Sequence, residues 1–239
     1  IEKGMMTLVD RDQQVFISDQ LIKTYGLKKR AGGGSAANSL YALSQFGGKA
    51  FYSCRVANDE TGDFFLEGLG QHNIETNTNS QRADGLSGRC LVMVTPDAER
   101  TMQTYLGVSD DISISEMDFE SAKQSKIMYL EGYLVTSDSA KSAIIEMKEY
   151  AIANNIKTAM TFSDPAMVEY FCDAVNEVLG DGVDLLFCNQ HEAMKWAGAD
   201  TIEAACEALK TKAKQFAVTC GSKGALLFDG ENYIDIEPY

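Results

Sequence analysis

Between residues 127 and 228 the chain alternates short apolar runs with amphipathic helical stretches, and this alternation restricts the fold more than any other feature. Residues 127–130, 156–162, 183–188 and 216–219 are apolar runs of strand length. Between them, apolar residues recur at helical spacing: Ala140, Ile144, Met147, Ala151 and Ile152 after Ser137-Asp138-Ser139; then Val168, Phe171, Val175 and Leu179 before Gly180-Asp181-Gly182; then residues 191–197 and 202–213. Repeated βαβ units require a mostly parallel sheet with helices on both faces, so the expected class is α/β. The first run is expected to continue through Tyr133-Leu134-Val135, past a break at Glu131-Gly132. Gly221-Ser222-Lys223-Gly224 should turn the chain into residues 225–228, and Asp229-Gly230 should form a hairpin turn into 233–236. Ligands of such sheets bind beyond the carboxyl ends of the strands. That rule singles out Glu131, Ser163-Asp164, Asn189 with Glu192, and Thr219 with its glycine turn.

The N-terminal half has the same texture with two departures. Residues 5–10 have strand character, 13–25 a helical pattern through Val15, Ile17, Leu21 and Ile22, and 50–57 the character of a strand. Asn58-Asp59-Glu60-Thr61-Gly62 is a capping turn into a helix carrying Phe64, Phe65, Leu66 and Leu69. The first departure is Ala31-Gly32-Gly33-Gly34-Ser35-Ala36-Ala37-Asn38, a glycine run opening into a helix that Ser35 is expected to cap and Gly47-Gly48 to end. Glycines at a helix mouth let ligand oxygens approach the first N–H groups, and Asn38 can both donate and accept, which suits a polyol. A turn chosen only for close packing explains the same glycines. The second departure follows Gly85-Leu86-Ser87-Gly88: two alternating segments joined by Pro96-Asp97-Ala98-Glu99 form a β-hairpin, placed as an excursion from the main sheet.

Composition excludes several classes of function. A formal net charge of −14 over 239 residues opposes binding to a nucleic-acid duplex or an anionic membrane. No apolar run approaches the length of a membrane span, and the start has no signal-like core, so a soluble cytoplasmic protein is expected. The six cysteines are scattered with no C-x-x-C pair, as expected of free thiols, and two isolated histidines do not make a zinc site.

Gly33-Gly34-x-x-x-Asn38, Gly47-Gly48, Gly62, the Pro96-Asp97-Ala98-Glu99-Arg100-Thr101 hairpin, Asn189-x-x-Glu192 and Thr219-x-Gly221-x-x-Gly224 occur in one order along nearly the whole chain. In that order the sequence resembles the ribokinase-like (PfkB) carbohydrate and nucleoside kinases, with an opening most similar to the adenosine-kinase and related sugar-kinase branch. The resemblance implies a three-layer αβα fold with a small β-sheet lid, here from residues 4–10 and 87–106 within a single incomplete domain spanning 1–239. It implies ATP and Mg²⁺ as cofactors and a small-molecule sugar or nucleoside as substrate. Gly33, Gly34 and Asn38 would hold sugar hydroxyls, and Arg100 would reach substrate or phosphate unless it is simply an exposed hairpin arginine. Asn189 and Glu192 would organise magnesium through water, where the plainer reading of Glu192 is a first-turn carboxylate favoured by the helix dipole. Thr219, Gly221 and Gly224 would line the nucleotide site, where the plainer reading is a tight turn.

The family's catalytic aspartate lies in a D-T-x-G-A-G-D motif that this sequence lacks. It is expected beyond Tyr239, and a first strand is expected ahead of Ile1, so the chain reads as a piece of a longer kinase. Three functions are in contention. The leading one is an ATP-dependent kinase of a sugar or ribonucleoside, with adenosine or a ribose-like acceptor favoured. The second is a non-catalytic nucleoside- or sugar-binding protein of the same fold. A dinucleotide-dependent oxidoreductase is disfavoured, because the glycine run does not form G-x-G-x-x-G. The lid is compatible with a monomer or a lid-mediated homodimer.

Overall fold

Residues 3, 6–78 and 82–238 are described by the structure, a computed structural model, and they fall into two units, Ile1–Ile112 and Ser113–Tyr239. The expected features at residues 4 and 5 lie outside the described residues.

In the first unit a short strand β1 (Met6–Leu8) leads into α1 (Arg11–Tyr25), which Asp10 starts with a reciprocal capping box to Gln13. Helix α2 (Ser35–Gln45) follows the glycine run, then β2 (Ala50–Tyr52), α3 (Glu60–Gln71) and β3 (Ile74–Thr76), which pairs parallel with β2. The strand expected over 50–57 therefore stops after Tyr52. Side chains take the backbone groups that a longer ladder would use: Asn77 Oδ1 accepts the Cys54 N–H (2.9 Å) and Ser87 Oγ accepts the Ala57 N–H (2.9 Å). The end of α2 is as its glycines predict. Gly47, at φ 79°, donates to Ser44 O and Gly48 donates to Leu43 O, the paired bonds of a Schellman ending.

The expected hairpin forms from β4 (Arg89–Val94) and β5 (Arg100–Tyr105), and β1 joins β5 in parallel to make a three-stranded sheet. Helix α1 is fastened to this sheet by the buried Gln14, whose amide donates to Arg89 O (2.8 Å) and Gln103 O (3.2 Å). The strand alternation places Leu8, Val92 and Val94 on one face, and all three are exposed.

The second unit holds α4 (Phe119–Lys123), β6 (Ile127–Glu131), α5 (Asp138–Ala153), β7 (Lys157–Thr161), α6 (Pro165–Tyr170), α7 (Cys172–Leu179), β8 (Val183–Asn189), α8 (Gln190–Ala197), α9 (Ile202–Leu209), β9 (Ala213–Thr219), β10 (Ala225–Phe228) and β11 (Tyr233–Ile236). Its sheet runs β11-β10-β9-β8-β7-β6, with β6 to β9 parallel and the final hairpin antiparallel. The chain is thus α/β with a mostly parallel central sheet, as its alternation requires.

Three boundaries differ from the pattern. The apolar region after β6 is a 3-10 turn, not more strand, because Gly132 brings the chain against the end of β7. A Cβ there would stand 2.6 Å from Phe162 O. The single helix expected over 168–179 is two, broken at Phe171, whose φ −124° and ψ 28° are not helical. Strand β9 begins at Ala213, where a helix was expected to end.

Packing explains the rest of this unit. Ala140, Ala143, Ile144, Met147 and Ala151 form one buried stripe on α5. Lys148 lies in the same stripe, and its ammonium donates to Val178 O (2.8 Å) and Leu179 O, the last carbonyls of α7. The core gathers Met160, Phe162, Leu179, Leu186, Leu209, Phe216 and Val218, all fully buried. Leu186→Ala in central β8 should therefore cost about 2–5 kcal/mol, read as a lower denaturation midpoint in urea; a loss below about 1 kcal/mol would contradict this packing.

Candidate active site

The predicted residues lie in two groups, one in each unit. In the first unit Gly34, not Ser35, is the N-cap of α2. Its φ of 106° is one that side-chain-bearing residues rarely adopt, and no cap side chain bonds the first turn. Asn38 uses its N–H on Gly34 O (2.9 Å), while its exposed side-chain amide has no partner among the described residues. At Gly33 an added Cβ would meet nothing within 4 Å. Close packing among the described residues therefore does not explain Gly33. Arg100 stands exposed at the turn end of β5, opposite Val94, and makes no hydrogen bond or ion pair to Gly33, Gly34 or Asn38 among the described residues.

In the second unit the parallel strands end in a row. Glu131 is level with Thr161, Thr161 with Phe187, and Asn189 with Thr219. Asn189 caps α8 by accepting the Glu192 N–H (2.9 Å). The Glu192 carboxylate returns both oxygens to Asn189, one to its N–H (2.9 Å) and one to its Nδ2 (2.8 Å). Glu192 is only 4% exposed. Burial pushes its carboxyl up to about 7, against the lowering by the Asn189 N–H and with a further push from the negative charge of Asp164.

Asp164 caps α6 at Ala166 (2.8 Å) and receives the Tyr133 hydroxyl at 3.4 Å. Burial first, then the charges of Asp164, Glu131 and Glu192, drive the Tyr133 hydroxyl well above its ordinary value. Beside Asp164, Ser163 holds φ 72°, and its buried Oγ has no hydrogen-bond partner among the described residues. Sequence reasoning named Glu131 and Asp164 at strand ends but missed Tyr133, which it placed in a continuing strand. The Glu131-Gly132 break was the available signal.

The two turn glycines after β9 separate. Gly224 (φ 88°) is dictated by the fold, since a Cβ would overlap Ile236 O, whereas Gly221 (φ 57°) faces open space. Among the described residues no group of three or more His, Cys, Asp or Glu is placed to hold a metal ion. Because both Glu192 oxygens are engaged by Asn189, these residues fit a cation only through its water shell.

The sequence pattern of the pfkB family carbohydrate kinases matches residues 4–239. The chain belongs to this family. Phosphoryl transfer to an alcohol hydroxyl is the reaction class that goes with it. Among solved structures, the adenosine kinase from Sinorhizobium meliloti superposes with a TM-score of 0.90 at 31% identity, covering 100% of this chain and 72% of that one. An uncharacterized sugar kinase from Archaeoglobus fulgidus is 24% identical over 200 residues, 82% of this chain and 76% of that protein. Adenosine kinase from Saccharomyces cerevisiae is 24% identical over 199 residues, 81% of this pfkB chain but 56% of the yeast protein. No helix among the described residues is long and apolar enough to cross a membrane.

The Glu192 carboxyl gives a pH prediction whose sign follows from its raised value. Between pH 4.5 and about 7 the folded chain keeps a proton that the unfolded chain has released, so this group's contribution to stability falls as pH rises through that window and is level above it. Glu192→Gln cannot titrate and still completes the capping box. Urea denaturation from pH 5 to pH 8 should show wild type losing stability relative to Glu192→Gln, and parallel pH profiles would contradict the burial of an ionisable carboxyl here.

Proposed function

We propose that the chain forms part of an ATP-dependent kinase that transfers the γ-phosphoryl group to a hydroxyl of a sugar or ribonucleoside, with adenosine or a ribose-like acceptor favoured. The observation that carries this reading is the mouth of α2. Gly33 faces open space, Gly34 supplies a cap without a side chain, and the Asn38 side-chain amide, without a partner among the described residues, can both donate and accept. A cis-diol presents matching donors and acceptors to such a group. Two sources support the nucleoside preference: the opening of the sequence and the name of the Sinorhizobium meliloti neighbour.

In this reading Gly33, Gly34 and Asn38 bind the acceptor and orient its reacting hydroxyl, which supplies proximity and alignment. Thr219 and Gly221 border the nucleotide at the end of β9, where the absence of a Cβ at Gly221 allows close backbone approach. Mg²⁺, when bound with ATP, would neutralise charge developing on the transferred phosphoryl group. Asn189 and Glu192 would hold its water shell, and the capping box fixes the geometry in which they do so. Arg100 is a further candidate contact to substrate or phosphate.

A Mg-ATP turnover assay of the full-length protein against adenosine, other nucleosides, ribose, fructose and keto-sugar acids tests the reading. Turnover with one acceptor establishes it. Ligand-dependent thermal stabilisation without turnover on any acceptor would support a binding protein instead. With the acceptor identified, Asn38→Ala should raise its KM by about tenfold or more while leaving the melting midpoint near wild type; an unchanged KM removes Asn38 from the site.

A further inference from the structure

A closed ring of hydrogen bonds joins the turn before α3 to the approach of β4, and none of it is used in the binding roles above. Asp59 caps α3 by accepting the Gly62 N–H (2.8 Å). The same carboxylate accepts the Ser87 N–H (2.9 Å) and the Ser87 hydroxyl (2.7 Å). Ser87 Oγ in turn accepts the Ala57 N–H (2.9 Å), and Arg82 closes the ring, donating to Ala57 O through Nε (3.0 Å) and Nη2 and from Nη2 back to Asp59 O (3.2 Å), while its Nη1 pairs with Asp63 at 2.5 Å. Ser87 is 2% exposed. Burial would raise the Asp59 carboxyl, but the bonds from Ser87 and Gly62 more than offset this and hold it below its ordinary value. The ring also explains Gly62: a Cβ there would overlap Ala57 O and stand 2.9 Å from Ser87 Oγ.

Next to Ser87 the two legs of the hairpin cross in backbone contact. Leu86 O accepts the Val108 N–H (2.9 Å), and a Cβ on Gly88 would stand 2.7 Å from Leu106 O. At Gly107, φ is 56° and a Cβ would overlap Leu86 O. Below the crossing the return leg is fastened as well, since Ser109 Oγ donates to Arg55 O (3.0 Å). Both legs are thus bolted to residues 55–62 on one side of a glycine crossing, and the three-stranded sheet lies on the other.

We propose that Asp59, acting through Ser87, is a positioning residue for phosphoryl transfer: it fixes the leg on which the β1-β5-β4 sheet pivots at Gly88 and Gly107 to cover the bound acceptor. This rests on the kinase reading and adds to it where the cover is anchored. With the post intact, the sheet closes in one orientation and excludes water. The bond from the γ-phosphorus to the ADP oxygen then breaks as a bond to the acceptor oxygen forms, and the hydroxyl proton passes to a carboxylate base of the full-length protein and from it to solvent when the site opens. With the post loosened, water takes the acceptor's place, the new bond forms to water oxygen, and inorganic phosphate appears instead.

The test compares full-length wild type with Asp59→Asn, Ser87→Ala and Ser87→Thr, measuring ADP, phosphorylated acceptor and inorganic phosphate in parallel. Asparagine keeps a cap oxygen for Gly62 but turns an amide donor toward the Ser87 N–H. Asp59→Asn and Ser87→Ala should raise the acceptor KM about tenfold, leave the ATP KM within about twofold, and release more than one ADP per phosphorylated acceptor. Ser87→Thr, which retains the hydroxyl, should restore one-to-one stoichiometry. Wild-type KM and stoichiometry in both defective variants overturn the proposal, as does a Ser87→Thr variant as leaky as Ser87→Ala. If Asp59→Asn does not fold, the Ser87 pair decides alone. A wild type that phosphorylates no acceptor removes the kinase reading and this inference together, whereas normal turnover with unaffected variants removes only the inference.

Discussion

Parallel pairing of β6, β7, β8 and β9 is the constraint on which the second unit depends. Parallel neighbours cannot be joined by tight turns, so each connection must cross back, and the helices that do so bury the apolar stripes visible in α5, α7 and α9. All four strands consequently end at one edge. Glu131, Asp164, Asn189 and Thr219 are separated by up to 88 positions in sequence, yet strand direction alone aligns them. The antiparallel β10-β11 hairpin closes the other side of β9, and its return strand is what makes glycine obligatory at Gly224.

The same constraint explains which parts of the fold were legible in the sequence. Runs such as 156–162 and 183–188 read as strands because they are short, rich in apolar and β-branched residues and bounded by turn residues; β7 is buried from Thr158 to Thr161. Elements whose ends depend on distant partners were not legible. Strand β2 ends early because Asn77 and Ser87, from remote segments, take its backbone groups. Tyr133 has the hydrophobicity of a strand residue, but the close approach of Gly132 to β7 turns it toward Asp164. The cap of α2 fell on Gly34 because a glycine at positive φ can start a helix without a side chain, which composition does not distinguish from a serine cap one residue later.

Legibility of the candidate site followed the same division. Asn189 and Glu192 could be named because N-x-x-E just after a strand is a local pattern with a fixed spacing; the structure adds that the two side chains close a capping box. The glycines could be located but not interpreted. Gly33, Gly221 and Gly224 look equivalent in sequence, and only the space around each separates a position open to a ligand from one the fold itself demands. The bond between Asp59 and Ser87 spans 28 positions, so nothing local in either segment announces it.

The electrostatics of the strand ends complete the picture. Glu131, Asp164 and Glu192 bring three carboxyl groups near Tyr133 in a chain of net charge −14, and charges of one sign close together in a buried setting are costly unless something relieves them. Glu192 is relieved by taking up a proton readily, with its carboxyl raised to about 7. Protonation at Glu192 thus keeps the fold from burying an uncompensated charge beside Asp164, and the Asn189 capping box holds the carboxyl in place whichever form it takes.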